Sequence, residues 1–216
     1  MQVVMLGLPG AGKGTQAVRI AEEFGVPHIS TGDMFRAAIS AGTPLGREVK
    51  SYLDSGRLVP DELTIRVVAE RLRQSDAADG FVLDGFPRTL PQATALEQLL
   101  ADLKKPLQFA LYVHVPEDIL LARLTGRRIC KDCGATYHVV FHPPAEEGRC
   151  DNCGGELYQR SDDTEAAVKT RLEQYAQTAP LVEFYQERDI LHQIDGQQGI
   201  DEVYRDIRAI LHATSA

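Results

Sequence analysis

The 216-residue sequence predicts an α/β fold, a five-stranded parallel sheet flanked by helices. Three observations lead there. Short apolar runs alternate with longer stretches of helical periodicity. The first run, 2–6, ends in a glycine-rich turn that opens a helix, the start of a βαβ unit. Polar and glycine-rich motifs follow the ends of several runs, where ligands bind in parallel sheets.

Residues 2–6 (QVVML) read as a buried strand. Ala17, Ile20, Ala21 and Phe24 then recur at i, i+3, i+4 and i+7, one face of a helix, and Gly25 suits the position just past its end. A second short strand follows at 27–30. Phe81–Asp84 (FVLD), Phe109–Val115 (FALYVHV) and Leu191–Asp195 (LHQID) supply the remaining three. Helical patterns lie at 61–73, 90–103, 117–125 and 164–187. A last one, 201–212, sets Val203, Ile207, Ile210 and Leu211 on one face. Two segments break the alternation. Residues 30–59 are helical and polar, punctuated by Gly42, Pro44, Gly46 and Gly56, and 126–163 contain all four cysteines. The core is therefore expected over 1–29, 60–125 and 164–216, with insertions at 30–59 and 126–163.

Composition narrows the function. The net charge of −8 argues against nonspecific binding to nucleic acid. No apolar run approaches the roughly 20 residues that span a membrane. Residues 1–6 lack the basic region of a signal peptide, so the cytoplasm is the expected location.

Gly7-Leu8-Pro9-Gly10-Ala11-Gly12-Lys13-Gly14-Thr15 fits the GxxxxGK part of a phosphate-binding loop. Its glycines let successive N–H groups converge on an anion, the following helix points its positive end there, and Lys13 adds a full charge. The residue after the lysine is Gly14 rather than Ser or Thr, so Mg²⁺ is expected to be held mainly by phosphates and water. Asp84-Gly85-Phe86-Pro87-Arg88 follows the third strand as a tight turn, a setting in which the Phe86–Pro87 bond can be cis or trans. It would raise Arg88 beside the loop and leave Asp84 to orient the water shell of Mg²⁺. Thr31 to Arg36 follow the second strand, where Thr31 or Asp33 would equally serve as a helix cap. Arginines at 123, 127, 128, 160 and 171 flank the second insertion, and arginine suits sites that grip phosphate in a planar fork.

Cys130-Lys-Asp-Cys133-Gly and Cys150-Asp-Asn-Cys153-Gly form two knuckles separated by 16 residues. Four thiolates suit a tetrahedral, structural Zn²⁺ with no open position. Fe²⁺ or Co²⁺ would fit the same donors. His138 and His142 lie between the knuckles and are read as ordinary residues.

Together GLPGAGKGT (7–15), STGDMFR (30–36), DGFPR (84–88), LTGRRIC (124–130) and RSDD…VKTR (160–171) resemble the adenylate kinases, specifically the bacterial long-lid, zinc-bearing form within the nucleoside monophosphate kinases. The resemblance runs the length of the chain. It implies a P-loop kinase core, a monophosphate-binding insertion at 30–59 and a lid at 126–163. It implies ATP contacts at Gly10, Ala11, Gly12, Lys13, Gly14, Thr15, Arg123, Arg127, Thr136, Tyr137 and the backbone near Gln198. It implies AMP contacts at Thr31, Arg36, the backbone of Arg57, Leu58 and Val59, then Gly85, Phe86, Pro87, Arg88 and Gln92, with Arg160 and Arg171 near the transferred phosphate. Lys13, Arg88, Arg123, Arg160 and Arg171 would be catalytic, ATP, AMP and ADP the substrates, Mg²⁺ and structural Zn²⁺ the metals, and the chain a monomer without nucleic-acid or membrane partners. Two other readings stay open on the residues alone. One is a kinase for UMP, CMP or GMP. The other is a P-loop switch using the zinc knuckle to bind partners.

Overall fold

The computed structural model describes residues 1–213, apart from the side chains of 176 and 177, so the last three residues of the expected core segment 164–216 lie outside it. The chain opens with β1 (Gln2–Leu6) and α1 (Lys13–Phe24), which stops at Gly25 in a left-handed conformation. Then come β2 (His28–Ser30), α2 (Thr31–Ser40) and α3 (Pro44–Asp54). The Ser30 side chain caps α2 by accepting from Asp33 N, and Thr43 caps α3 by accepting from Gly46 N. Next are α4 (Asp61–Leu72), β3 (Phe81–Asp84), α5 (Leu90–Asp102), β4 (Phe109–His114) and α6 (Glu117–Thr125). The chain continues with β5 (Arg127–Cys130), β6 (Thr136–His138), β7 (Leu157–Tyr158), α7 (Glu165–Glu173), α8 (Pro180–Gln186), β8 (Leu191–Asp195) and α9 (Ile200–Ala213).

The main sheet has five parallel strands in the order β2-β3-β1-β4-β8. Side chains alternate across β1, so each sheet face buries its own apolar layer. Val3 and Met5 pack with Ala17, Ile20, Val203 and Ile207 from α1 and α9. Val4 and Leu6 pack with Val68, Leu72, Leu96 and Leu181 from α4, α5 and α8. Buried on both faces, these strands carry the continuous apolar runs that parallel sheets require.

Three expectations need correction. The pattern at 164–187 is not one helix. It breaks into α7, a 3₁₀ turn at Gln174–Gln177 and α8, because Pro180 has no N–H for a continuing helix and instead occupies the first turn of a new one. The strand expected at 109–115 ends at His114. The cysteine insertion, expected as two knuckles with no strands between them, contains a second, antiparallel sheet in the order β6-β5-β7.

Candidate active site

The turn between β1 and α1 carries the loop over the carboxyl ends of the strands. Gly12 sits at the N-terminus of α1 with φ 94°, a conformation that a Cβ disfavours. Gly14 faces a different constraint. A Cβ there would stand 3.2 Å from Asp84 Oδ2, so the usual Ser or Thr would crowd the carboxylate at the end of β3. Lys13 donates from Nζ to Leu8 O at 2.9 Å. Burial, reinforced by Arg88, Arg171 and Arg127 and opposed by Asp84, lowers its ammonium to about 8. Burial also opposes ionisation of Asp84. The His28 ring, with Nε2 3.7 Å from Oδ2, and the charges of Lys13 and Arg88 nevertheless hold that carboxyl at about 2.

Beyond the loop the arginines converge. The Phe86–Pro87 bond is cis, and Arg88 leaves the turn with its Nε donating to Gly85 O at 2.9 Å. The Arg88 backbone is held from two sides, its N–H by Gln92 Oε1 at 2.8 Å and its carbonyl by Thr178 Oγ1 at 2.8 Å. The amide nitrogen of Gln92 donates to Asp61 Oδ1 at 2.7 Å, so both ends of this side chain are engaged. Thr31 Oγ1 donates to Gly85 O at 3.0 Å and ties the start of α2 to the same turn. Arg36 pairs with Asp33 at 2.6 Å, and Arg160 reaches the same carboxylate at 3.4 Å. Arg123 donates to Gly196 O at 2.9 Å, beside the stretch that contains Gln198. Arg127 grips the buried Asp163 with two hydrogen bonds of 2.8 and 2.5 Å, and Arg171 pairs with both Asp162 and Asp163. Burial, aided by neighbouring positive charge, lowers Arg160 and Arg171 to about 10, so both keep their charge at neutral pH. Such crowding of cations around a buried lysine is stable only with anions to balance it, and that is what a phosphate site offers.

Lys13, Asp84, Arg36, Arg88, Arg123, Arg127, Arg160 and Arg171 line one continuous cavity of about 1350 Å³. It runs from the phosphate loop past α2 and Arg57–Val59 on one side and past Thr136 and Tyr137 on the other. A single drug-sized ligand occupies roughly 300–1,000 Å³, so this space suits two nucleotides end to end. One expected residue stands apart. The Phe86 side chain is 1% exposed and packs in the apolar layer with Leu83 and Leu96, so this residue can meet a ligand only through its backbone.

The four cysteine sulfurs lie within 4.8 Å of one another. The Cys130–Cys153 and Cys133–Cys150 separations are 3.4 and 3.5 Å, against about 3.8 Å between thiolates in a tetrahedral zinc site. The two knuckles are built alike. Gly134 N donates to Cys130 O and Gly154 N to Cys150 O, with both glycines at φ 74°. The donor set therefore fits a closed, four-thiolate metal site, with Cys130, Cys133, Cys150 and Cys153 as the ligands.

A family model described as Adenylate kinase matches residues 5–190. The chain belongs to the adenylate kinase family. It is 60% identical over 212 residues to an adenylate kinase of Geobacillus sp. (strain WCH70), covering 98% of each chain. It is 61% identical over 212 residues to that of Bacillus licheniformis and 57% over 212 residues to that of Bacillus subtilis, again with 98% of each chain covered. Adenylate kinases are ATP:AMP phosphotransferases that use Mg²⁺ with ATP, and the chain is an enzyme of this kind. No helix among the described residues is long and apolar enough to cross a membrane.

Several residues of this adenylate kinase site were not singled out from sequence. Asp162 and Asp163 anchor the arginines, His28 faces Asp84, and Thr178 holds Arg88. Asp33, expected only as a candidate cap of α2, joins the two insertions instead, and Ser30 takes the cap. The RSDD motif contains Asp162 and Asp163, carboxylates that aim the guanidinium groups of Arg127 and Arg171.

Proposed function

We propose that Mg·ATP + AMP ⇌ 2 ADP proceeds here by electrostatic positioning, with no general base. The attacking oxygen belongs to the AMP phosphate and is already ionised at neutral pH, so no proton need be removed. The remaining task is to bring two polyanions into line and to stabilise charge spread over the moving phosphoryl group. The observation that carries this reading is the single cavity with the phosphate loop at its floor and basic side chains from both insertions along its walls.

In this reading Gly10–Thr15, Arg123, Arg127, Thr136, Tyr137 and the backbone near Gln198 hold ATP. Thr31, Arg36, Arg57–Val59, Gly85–Arg88 and Gln92 hold AMP. Lys13, Arg88, Arg123, Arg160 and Arg171 act on the transferred phosphoryl group. Asp84 orients the water around the Mg²⁺ that arrives with ATP. Residues 1–29, 60–125 and 164–216 serve as the core, 30–59 as the AMP-binding part and 126–163 as a lid. Closing the lid excludes water, the competing nucleophile. Zinc bound at the four cysteines would supply structure and no chemistry. The enzyme acts as a cytoplasmic monomer, and light scattering on the purified chain tests the second half of that statement.

The decisive assay is to incubate the protein with Mg·ATP and AMP, UMP, CMP or GMP in turn and to follow diphosphate formation. Rapid conversion with AMP alone is expected. Faster conversion of another monophosphate would overturn the assignment of the acceptor site.

A further inference from the structure

Tyr137 joins the nucleotide cavity to the cysteine knuckles, which also reach the cavity at Cys133 and Gly134. The residue is 4% exposed, belongs to β6 and lines the cavity. Its Oη lies 3.4 Å from Cys150 Sγ and accepts a hydrogen bond from Asp151 N at 2.8 Å. A metal-bound Cys150 is a thiolate and has no proton to give. With one lone pair of Oη occupied by Asp151 N–H, the phenol proton is free to point at sulfur. The ring is also held flat, stacked on His142 with centroids 5.6 Å apart and an interplanar angle of 6°.

We propose that Tyr137 is a positioning residue for the Cys150 thiolate and that it links nucleotide occupancy to metal retention. Hydrogen bonds to metal ligands orient them and temper their donor strength. A ligand packed on the cavity side of the ring restricts its motion and keeps the hydroxyl on sulfur. Linkage then requires reciprocity: nucleotide slows the loss of metal, and metal tightens nucleotide. The nucleotide half rests on reading this end of the cavity as the ATP side. The hydrogen-bond half does not.

The test uses the full-length, zinc-loaded chain. Release of zinc to an excess of a chelating dye is followed by absorbance, with and without Mg·ATP, and the cobalt-substituted protein is examined by its sulfur-to-metal charge-transfer band. Tyr137→Phe is expected to release zinc about tenfold faster, because Cys150 loses the contact that orients it, and to move the cobalt band to lower energy, as a thiolate relieved of a hydrogen bond donates more strongly. His142→Ala removes the stack but keeps the hydroxyl, and should leave the cobalt band in place. This variant separates the hydrogen bond from general loosening of the knuckle. Mg·ATP should slow release from the wild-type chain several-fold, and less so from Tyr137→Phe at saturating ATP, with saturation established by calorimetry. Unchanged release and an unchanged cobalt band in Tyr137→Phe would overturn the positioning role. ATP that binds the wild-type chain without slowing release overturns the linkage alone. ATP that fails to bind at all overturns the nucleotide reading of the cavity and leaves the hydrogen-bond result standing.

Discussion

The two insertions solve one problem by opposite means. Each is too small to share the central core, and each must present charged groups at fixed positions over the sheet. The 30–59 segment does so with apolar packing: Phe35, Val49 and Val59 close on Leu63 of α4, with Ile39, Leu45 and Tyr52 around them. The 126–163 segment has far less to bury. Its cluster is Cys130, Tyr137, Cys150 and Leu157, two of which are metal-ligand candidates, while Val139, Val140 and Phe141 stand exposed. The helical hairpin brings an apolar cluster of its own against the core. The cysteine segment brings little, and small domains in that position commonly depend on a metal.

The largest effect is in the core, at an arginine that feels charges from both insertions, Arg36 and Asp162. Arg88→Ala should lower turnover by about 10²–10³-fold, the usual loss on removing one preorganised donor from a charged transition state. Circular dichroism and metal content should be unchanged, since the residue lies in neither apolar cluster. Near-normal turnover would remove Arg88 from the mechanism.

The contrast itself is sharpest in stability. Replacing Cys130 and Cys150 together by serine should lower the melting temperature by roughly 10 °C while much of the turnover at low temperature remains. If turnover collapses in a variant shown to be folded, the metal acts on chemistry and the comparison fails. Val49→Ala, at a fully buried position in α3, should destabilise by about 2 kcal/mol in urea titrations. Combined with metal removal, the two effects should add to within about 0.5 kcal/mol, because the sites share no partners. Strong coupling between them would mean that the insertions are not independent. The smallest effect is at a cap. Thr43 Oγ1 accepts from Gly46 N at 3.0 Å, and Thr43→Ala should cost about 1 kcal/mol in the same titration without altering zinc content.

Contacts between the insertions limit their independence. Ser161 Oγ donates to Asp54 Oδ1 at 2.9 Å, and Asp33 receives both Arg36 and Arg160. The apolar cores are separate, whereas the charged surfaces that face the cavity are shared.

Much of this enzyme was determined by its sequence alone. The five core strands, the helix at Lys13–Phe24, the stop at Gly25 and the helix at Glu117–Thr125 follow from periodicity and turn chemistry, which act over a few residues. The phosphate loop and the paired knuckles are contiguous motifs, and so they could be read without knowing what lies beside them. Tertiary structure decided the rest. The order β2-β3-β1-β4-β8 depends on pairing between distant segments. The sheet of the cysteine segment has strands as short as Leu157–Tyr158, too brief to show any period. The carboxylates Asp33, Asp162 and Asp163 look like ordinary surface acids until folding sets them against arginines. Local pattern records what a segment prefers. Which charge meets which is a matter of distance in space, and only the packed chain defines it.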